Sequence, residues 1–301
     1  MAQSRRLTAR RLRLVAFGVA FLASSGASAA LDVDALWSFS DPAASEARFR
    51  AALERAHGDD ALILQTQIAR TYGLRGDLAS ARRILDGIEP RLATAGPEVR
   101  VRHALELGRT IASATSGPEA RDEAAIAAAR DAYARAAALA RDAGLDALRI
   151  DALHMMAFVD TAPADQLRWG REALALAETS SQPAARRWEA SLRNNVGYAL
   201  HQLGRYDEAL AEFRRALALR EQRNDPEGTR SAHWMVAWTL RALGRADEAL
   251  AIQQRLDRES QAAGHADADV LEELEILYRA RGAAREADAV AARRAALAPA
   301  R

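Results

Sequence analysis

The sequence predicts an all-α protein, an α-solenoid of helix-turn-helix repeats with about six helix pairs and an N-terminal capping helix. Three observations support this fold class. Half of the 301 residues are apolar, mostly Ala and Leu, and only 5% are aromatic, which is typical of packed helices rather than of β-sheets. A pattern recurs after 40 residues in the second half of the chain. Glycines follow apolar stretches of helical length, and a glycine ends a helix at little conformational cost.

Residues 1–29 are predicted to be a secretory signal peptide. They contain five arginines, an apolar run from Leu14 to about Ala23, and small residues up to Ala29, which is the three-part build of such a signal. The apolar run is much shorter than the roughly 20 residues that span a bilayer as a helix. We therefore expect cleavage after about Ala29 and export to a bacterial periplasm, with an uncleaved anchor as the alternative.

The composition excludes several kinds of chemistry. The chain has no cysteine, which rules out disulfides, thiolate metal ligands and cysteine nucleophiles. All 42 basic residues are arginine, so no lysine is present to form a Schiff base or to bind phosphate in a glycine-rich loop. Five of them lie in the predicted signal, which leaves 37 basic and 41 acidic residues and a net charge of −4. A general attraction to nucleic acid or anionic lipid is therefore not expected.

Residues 30–58 are predicted to form an N-terminal segment with the capping helix. Asp41 suits the N-cap position and Pro42 the first position of a helix. The aromatic residues of this segment are expected to cover the open end of the array, and the alternative is a segment that docks a partner. These residues are Trp37, Phe39 and Phe49.

Residues 59–301 are predicted to be the repeat array, and its clearest repeats are 190–229 and 230–269. The two repeats align without a gap on Gly204 and Gly244. Each glycine is followed closely by Asp-Glu-Ala-Leu, whose acidic residues suit the positive start of the next helix. Proline marks further expected helix starts at positions 97, 118, 163, 183 and 226.

The residues around these glycines resemble the tetratricopeptide repeat. In the first clear repeat the matching residues are Val196, Gly197, Leu200, Gly204, Tyr206, Ala209, Phe213 and Ala216; in the second they are Val236, Ala237, Leu240, Gly244, Ala249 and Leu256. A third match comprises Ile68, Ala69, Tyr72, Gly76, Ala81, Leu85 and Ile88. The resemblance covers about residues 59–297. It implies that helix pairs stack on their neighbours, and that the first helices line a concave face that commonly binds extended peptides or partner helices.

Two rows of side chains are predicted to lie on the first helices of consecutive repeats, 40 residues apart. The rows are Phe158, Tyr198 and Trp238, and His154, Asn194 and Trp234. Positions i and i+4 share a helix face, so both rows would face the same side. A large aromatic residue offers roughly 150–250 Å², and two or three approach the ~300–600 Å² patch that often marks a binding surface. The alternative is that Trp234, Trp238 and Phe158 belong to the core between repeats.

Polar residues near these rows are expected to hydrogen-bond a peptide backbone or carboxylate. They are Asn194, Asn195, His201 and Arg241. Asn195 is included because it matches a position where repeats of the resembled family often carry a backbone-binding asparagine. Towards the N-terminal half the corresponding residues are Arg70 and Arg109, which suggests a separate basic stretch or, alternatively, a solvated face.

No recognised catalytic motif is present, so we expect no enzyme, no cofactor and no metal site. The six histidines are not spaced as His-Glu-x-x-His, and neither Gly-x-Ser-x-Gly nor a phosphate-binding glycine loop occurs. An enzyme with an unrecognised site stays an alternative, which a cluster of Asp, His and Arg in a closed cleft would favour.

The expected function is that of a non-catalytic periplasmic scaffold or adaptor, which binds an envelope-associated protein or peptide on the concave face. The alternative is a sensor or regulatory subunit that recognises a small ligand and signals to a membrane partner. A deep closed pocket would favour that alternative. Neither nucleic-acid binding nor stable membrane insertion after signal cleavage is expected.

Overall fold

A computed structural model describes residues 31–111 and 122–297, and it confirms the all-α prediction. Within these ranges the chain forms helices, turns and short linkers, without a β-strand. The predicted signal peptide and the predicted helix start at Pro118 lie outside the described residues. Within the two described ranges, no helix is both long and apolar enough to cross a membrane.

Six helix pairs follow one another in the described chain, as predicted. The pairs are α3 (Gly58–Leu74) with α4 (Leu78–Ile88), α5 (Pro97–Ile111) with α6 (Glu123–Asp142), α7 (Asp146–Val159) with α8 (Pro163–Thr179), α10 (Glu189–Gln202) with α11 (Tyr206–Gln222), α12 (Pro226–Ala242) with α13 (Ala246–Ala262), and α14 (Ala268–Ala280) with α15 (Ala284–Ala295). Outside the pairs lie α2 (Pro42–Leu53), two one-turn helices, α1 (Val33–Leu36) and α9 (Pro183–Arg186), and the 3₁₀ helix Glu89–Arg91. Each pair packs against the next, as the solenoid prediction requires.

Helix α2 (Pro42–Leu53) packs on α3 and forms the predicted cap of the array. The carboxylate of Asp41 accepts a hydrogen bond of 2.9 Å from the amide of Ala44, and Pro42 occupies the first helical position. Phe49 is fully buried, with the Trp37 ring edge-on at 5.0 Å. Phe39 departs from the expectation, because it is 60% exposed and therefore does not help to close the end of the array.

The turns and the close helix contacts have the causes that the sequence indicates. Gly204 and Gly244 have φ angles of 71° and 77°, a left-handed conformation that glycine adopts without strain. A Cβ atom on Gly197 would lie 2.7 Å from the Phe213 ring. Only glycine therefore permits this approach of α10 to α11, which buries Phe213 completely.

Proline and apolar residues position the remaining helices. Helices α5, α8, α9 and α12 begin at the predicted prolines, where the missing amide hydrogen costs nothing. A continuous hydrophobic core runs from Ile150 to Val290 and includes Leu200, Leu240 and Leu256. Because this core lies between and within the pairs, the outer sides of the first helices are left for other contacts.

Candidate partner-binding face

The first helix of every pair contributes to one side of the array, which we call the first-helix face. Side chains on this face touch from each first helix to the next. The contacts are Arg70–Glu106 (3.9 Å), Arg109–Asp151 (2.5 Å), Asn195–His154 (3.1 Å), Tyr198–Trp238 (6.0 Å between ring centroids) and Arg241–Glu273 (2.7 Å). All eight predicted site residues belong to the first helices α7, α10 and α12.

Four rings from α10 and α12 form an aromatic cluster, comprising Tyr198, His201, Trp234 and Trp238. Trp238 lies at its centre. The ring centroids of His201, Trp234 and Tyr198 lie 3.3, 5.8 and 6.0 Å from that of Trp238, at interplanar angles of 14°, 21° and 18°. The two tryptophans are half-buried, whereas Tyr198 is 43% exposed. The cluster thus combines both expected arrangements: Trp234 packs against the core, and Tyr198 faces solvent.

His201 is held as a neutral ring inside this cluster. Burial, with a smaller contribution from the positive charge of Arg241, lowers the pKa of His201 to about 4. The ring also meets Tyr206 edge-on at 4.8 Å. Its Nε2 atom is buried without a hydrogen-bond partner among the described residues. An uncharged imidazole has one donor and one acceptor nitrogen, and it has no ionic attraction for a carboxylate.

Asn194 and Trp234 line a cavity of about 380 Å³ at the junction of α10, α12 and α14. Arg230 and Asp267 line the same cavity and form an ion pair of 2.6 Å. The indole N–H of Trp234 is buried and has no acceptor within the described ranges. A buried donor without an acceptor is energetically costly, so this N–H is an unsatisfied group in the packing beside the cavity.

A second group of rings lies at the junction of α7 and α10. The Asn195 side-chain amide donates a 3.1 Å hydrogen bond to Nδ1 of His154. The His154 ring meets Phe158 edge-on at 5.0 Å and Trp188 at 5.4 Å. Burial lowers the pKa of His154, although the charge of Asp151 opposes the shift. One amide hydrogen of Asn195 is therefore already bonded within the protein. Phe158 is 40% exposed and remains accessible.

Arg70 and Arg109 do not form the basic stretch that the sequence suggested. They belong to a charge network with two buried carboxylates, Glu106 and Asp151. Arg109 bonds Glu106 at 2.6 Å and Asp151 at 2.5 Å, and Arg70 lies 3.9 and 3.7 Å from the same two groups. Burial would raise the pKa of Asp151, but Arg109 and then Arg70 hold it at about 2. Both arginines are thus neutralised, and the half-buried pair is not a solvated face either.

Arg241, which was expected to bond a ligand, is already engaged within the protein. Its Nε and one terminal nitrogen each donate a 2.7 Å hydrogen bond to the buried carboxylate of Glu273. Such a two-point pair fixes the guanidinium plane. Arg241 therefore joins α12 to α14 and retains only part of its donor capacity for a ligand.

The sequence pattern did not predict three residues of this face, Asp151, Glu273 and Trp188. Asp151 precedes His154 by three positions, and this helical spacing places both on one face, so a search at that spacing could have found it. Glu273 faces Arg241 from the next repeat, without any sequence signal that pairs them. Trp188 has no aromatic counterpart 40 residues later, and periodicity could not have found it.

Within the described ranges, no three His, Cys, Asp or Glu side chains come close enough to hold a metal ion.

A family model described as tetratricopeptide repeat matches residues 188–256. The matched stretch runs from the start of α10 into α13 and contains the whole aromatic cluster. Residues 188–256 are therefore identified as tetratricopeptide repeats. Within these repeats, Tyr198, His201, Trp234 and Trp238 all belong to first helices, which the family resemblance assigns to the concave side.

Solved structures with the same fold extend the likeness beyond the matched repeats. The apo form of RapI is 12% identical and has a TM-score of 0.67, with 87% of this chain and 74% of that chain covered. A Rap protein complexed with competence and sporulation factor is 13% identical, has a TM-score of 0.56, and covers 87% and 72%. A signal transduction ATPase (STAND) with a tetratricopeptide repeat sensor, from Pyrococcus horikoshii, is 12% identical, has a TM-score of 0.64, and covers 85% of this chain but 40% of that one. No curated protein matches the sequence.

Proposed function

We propose that this protein is a non-catalytic scaffold or adaptor that is exported to the periplasm and binds a protein or peptide on the first-helix face. The observation that supports it most directly is the aromatic cluster, in which Tyr198 stays 43% exposed over half-buried tryptophans. The Rap protein complexed with competence and sporulation factor has the same fold. A peptide or protein ligand for the present chain is proposed on that basis.

The chemistry of the cluster suits an uncharged stretch of polypeptide. Stacked rings supply apolar area, which contributes about 25 cal/mol per Å² when a partner covers it. His201 is neutral because its pKa is lowered to about 4, so the cluster has no ionic attraction for a ligand and suits an uncharged group better than a charged one. Association entropy opposes this gain, so we expect modest affinity.

Export is proposed from the predicted signal peptide and from the absence of cysteine. The test is to express the full chain in a Gram-negative bacterium, fractionate the cells and sequence the N-terminus of the product. A periplasmic product that begins at about Ala30 supports export. A product that stays in the cytoplasm with residues 1–29 intact contradicts it.

The binding proposal is tested by crosslinked capture from the envelope fraction, with the partner identified by mass spectrometry. Tyr198→Ala removes an exposed ring and is expected to reduce capture severalfold with little change in melting temperature. Leu74→Ala is the matched control, because Leu74 is similarly exposed at 45% and lies at the end of α3. Equal capture by the unchanged chain and the Tyr198→Ala variant would refute the role of the cluster.

A sensor that recognises a small ligand is a second candidate function, favoured by the 380 Å³ cavity beside Asn194 and Trp234. Trp234→Phe removes the buried N–H and keeps a ring. A small molecule that raises the melting temperature of the unchanged chain, but not of this variant, would support the sensor over the scaffold.

A further inference from the structure

The residues before the capping helix run across the first-helix face instead of away from it. We call Val33–Phe39 the N-terminal segment. Its Asp34 carboxylate accepts a 2.5 Å hydrogen bond from Arg187, 153 positions later in the chain. At its other end, the Trp37 indole donates a 3.0 Å hydrogen bond to Gln67 on α3. One short segment therefore touches both the first pair and the linker before α10.

A closed circuit of contacts places this segment over the charge network. Trp37 lies 5.5 Å from the Arg70 guanidinium, and Arg70 lies 3.7 Å from Asp151. One turn further along α7, His154 lies 5.4 Å from Trp188, which directly follows Arg187. Because Arg187 in turn bonds Asp34, the segment crosses above the part of the face that α5 and α7 form.

The segment and the surface beneath it are complementary. Arg70 lies 5.5 Å from the Trp37 ring and 5.4 Å from the Phe39 ring, and such a cation over aromatic faces is attractive. Arg70 and Arg109 lie against the carboxylates of Glu106 and Asp151, and Arg187, near the other end of the segment, has Asp34 as its carboxylate partner. No basic residue occurs between Ala30 and Ala47, so the whole stretch is acidic and aromatic.

Val33 is buried, and the backbone of Ser38 exchanges hydrogen bonds of 2.8 and 2.9 Å with Ser45, but the contacts of Asp34 and Phe39 are of a kind that can be exchanged. The Asp34–Arg187 pair is exposed, with side-chain accessibilities of 68% and 60%, and such pairs contribute little to stability. Phe39 is 60% exposed. Phe49 on α2, by contrast, is fully buried, with the Trp37 ring as one of its neighbours. Since α2 also packs on α3, the capping helix has a second anchor when the segment leaves.

We propose that Val33–Phe39 acts as an intramolecular ligand of the first-helix face, which covers the charge network until a partner replaces it. The partner segment would have the same chemistry: a carboxylate that bonds Arg187, followed within about one helical turn by aromatic rings that lie on Arg70. This inference rests on the proposed binding function and adds to it a regulating segment and a partner class.

The absence of cysteine allows the position of the segment to be measured directly. In a protein that begins at Ala30, the substitutions Ala35→Cys and Arg186→Cys, both at exposed positions, would each carry one spin label. Pulsed electron paramagnetic resonance is expected to give one short, narrow distance. Asp34→Arg should lengthen and broaden it, and the added Arg187→Asp should restore it. A distance that Asp34→Arg leaves unchanged, or that the reversed pair fails to restore, overturns the docking of the segment.

A peptide of Val33–Asp41 with a fluorescent label tests the partner chemistry. It is expected to bind the Asp34→Arg chain about fivefold more tightly than the unchanged chain, since the face is then uncovered and an exposed ion pair has roughly that effect. The same peptide with Asp34→Arg should prefer the chain that carries Arg187→Asp. Equal affinity of the peptide for all chains overturns the proposal. Neither measurement involves Tyr198 or captured protein, so each can fail independently of the proposed function.

Discussion

Between α3 and α7 the first-helix face is charged and covered, whereas between α10 and α12 it is aromatic and open. In the first region Arg109 joins Glu106 and Asp151, and the N-terminal segment lies above them. In the second, Trp238 stacks at the centre of four rings, and Tyr198 remains 43% exposed. Two surfaces of opposite chemistry are therefore built on the same arrangement of helix pairs.

The packing beneath these surfaces is alike in both regions. A Cβ atom on Gly108 would lie 2.5 Å from the Tyr133 ring, just as one on Gly197 would lie 2.7 Å from the Phe213 ring. In each case a glycine of the first helix meets an aromatic ring of the second. The contact within a pair therefore determines the architecture, and the side chains on the first-helix face can vary independently of that contact.

The largest expected effect distinguishes the charged region from the aromatic one. Asp151→Ala removes one of two carboxylates that neutralise Arg70 and Arg109, and it leaves charge in a poorly hydrated site. We expect the free energy of unfolding to fall by about 3 kcal/mol, measured by urea denaturation. Asp165→Ala, at an exposed carboxylate on α8, should cost about 0.5 kcal/mol or less. Equal effects of the two substitutions would show that the network does not stabilise the charged region.

The second prediction would break the claim that both regions pack alike. Gly108→Ala and Gly197→Ala force a methyl group against a buried ring, and each should lower the free energy of unfolding by about 2 kcal/mol. Gly73→Ala is the control, because its Cβ would meet nothing within 4 Å; it should raise stability by about 0.5–1 kcal/mol. Thermal or urea unfolding measures all three. If only one of the two close-contact glycines tolerates alanine, the pairs are not equivalent.

The smallest expected effect separates the two regions by pH. Burial and then Arg241 lower the pKa of His201 to about 4, against about 6.5 in an unfolded chain. Between these two pH values the unfolded state binds more protons than the folded state. The contribution of His201 to the free energy of unfolding is therefore complete above about pH 6.5 and is lost as the pH falls towards 4. For Asp151, whose pKa is about 2 because Arg109 and Arg70 outweigh its burial, the loss occurs between about pH 4 and pH 2.

In the His201→Phe variant, the free energy of unfolding should therefore fall less between about pH 6.5 and pH 4, by about 1–2 kcal/mol after allowance for partial exposure. Its fall below about pH 4 should be unchanged. Unfolding free energies measured at intervals from pH 7 to pH 3 provide the check. His103, His154 and His233 also have lowered pKa values, so the difference between the variant and the unchanged chain isolates His201. Parallel profiles for the two proteins would contradict the prediction.

The fold could be predicted from local signals that act within one repeat. Gly204 turns the chain, Gly197 leaves room for the Phe213 ring, and proline starts five of the described helices. Each of these signals acts through residues of the same helix or the same helix pair. Helix type, pairing and the approximate number of pairs follow from such causes.

The face was predicted only in part, because its contacts join residues from different repeats. Tyr198 and Trp238 do touch, as their 40-residue spacing suggested. Arg70 and Arg109 were misjudged, since nothing local indicates that Glu106 and Asp151 neutralise them. The Asp34–Arg187 contact spans 153 positions and has no periodic signal at all. Whether the predicted site residues bind a partner stays a prediction.

The contact between Arg70 and Asp151 has a consequence for cooperativity. In most solenoids each repeat touches only its neighbours, so pairs can fray one after another from an end. Arg70 belongs to the first pair and Asp151 to the third, 3.7 Å apart. The first three helix pairs are therefore expected to open together. The described ion pairs of the last helix pairs connect only adjacent pairs, so these helix pairs can open one at a time. Hydrogen exchange should accordingly show one block of equal protection from α3 to α7 and a graded decline towards α15.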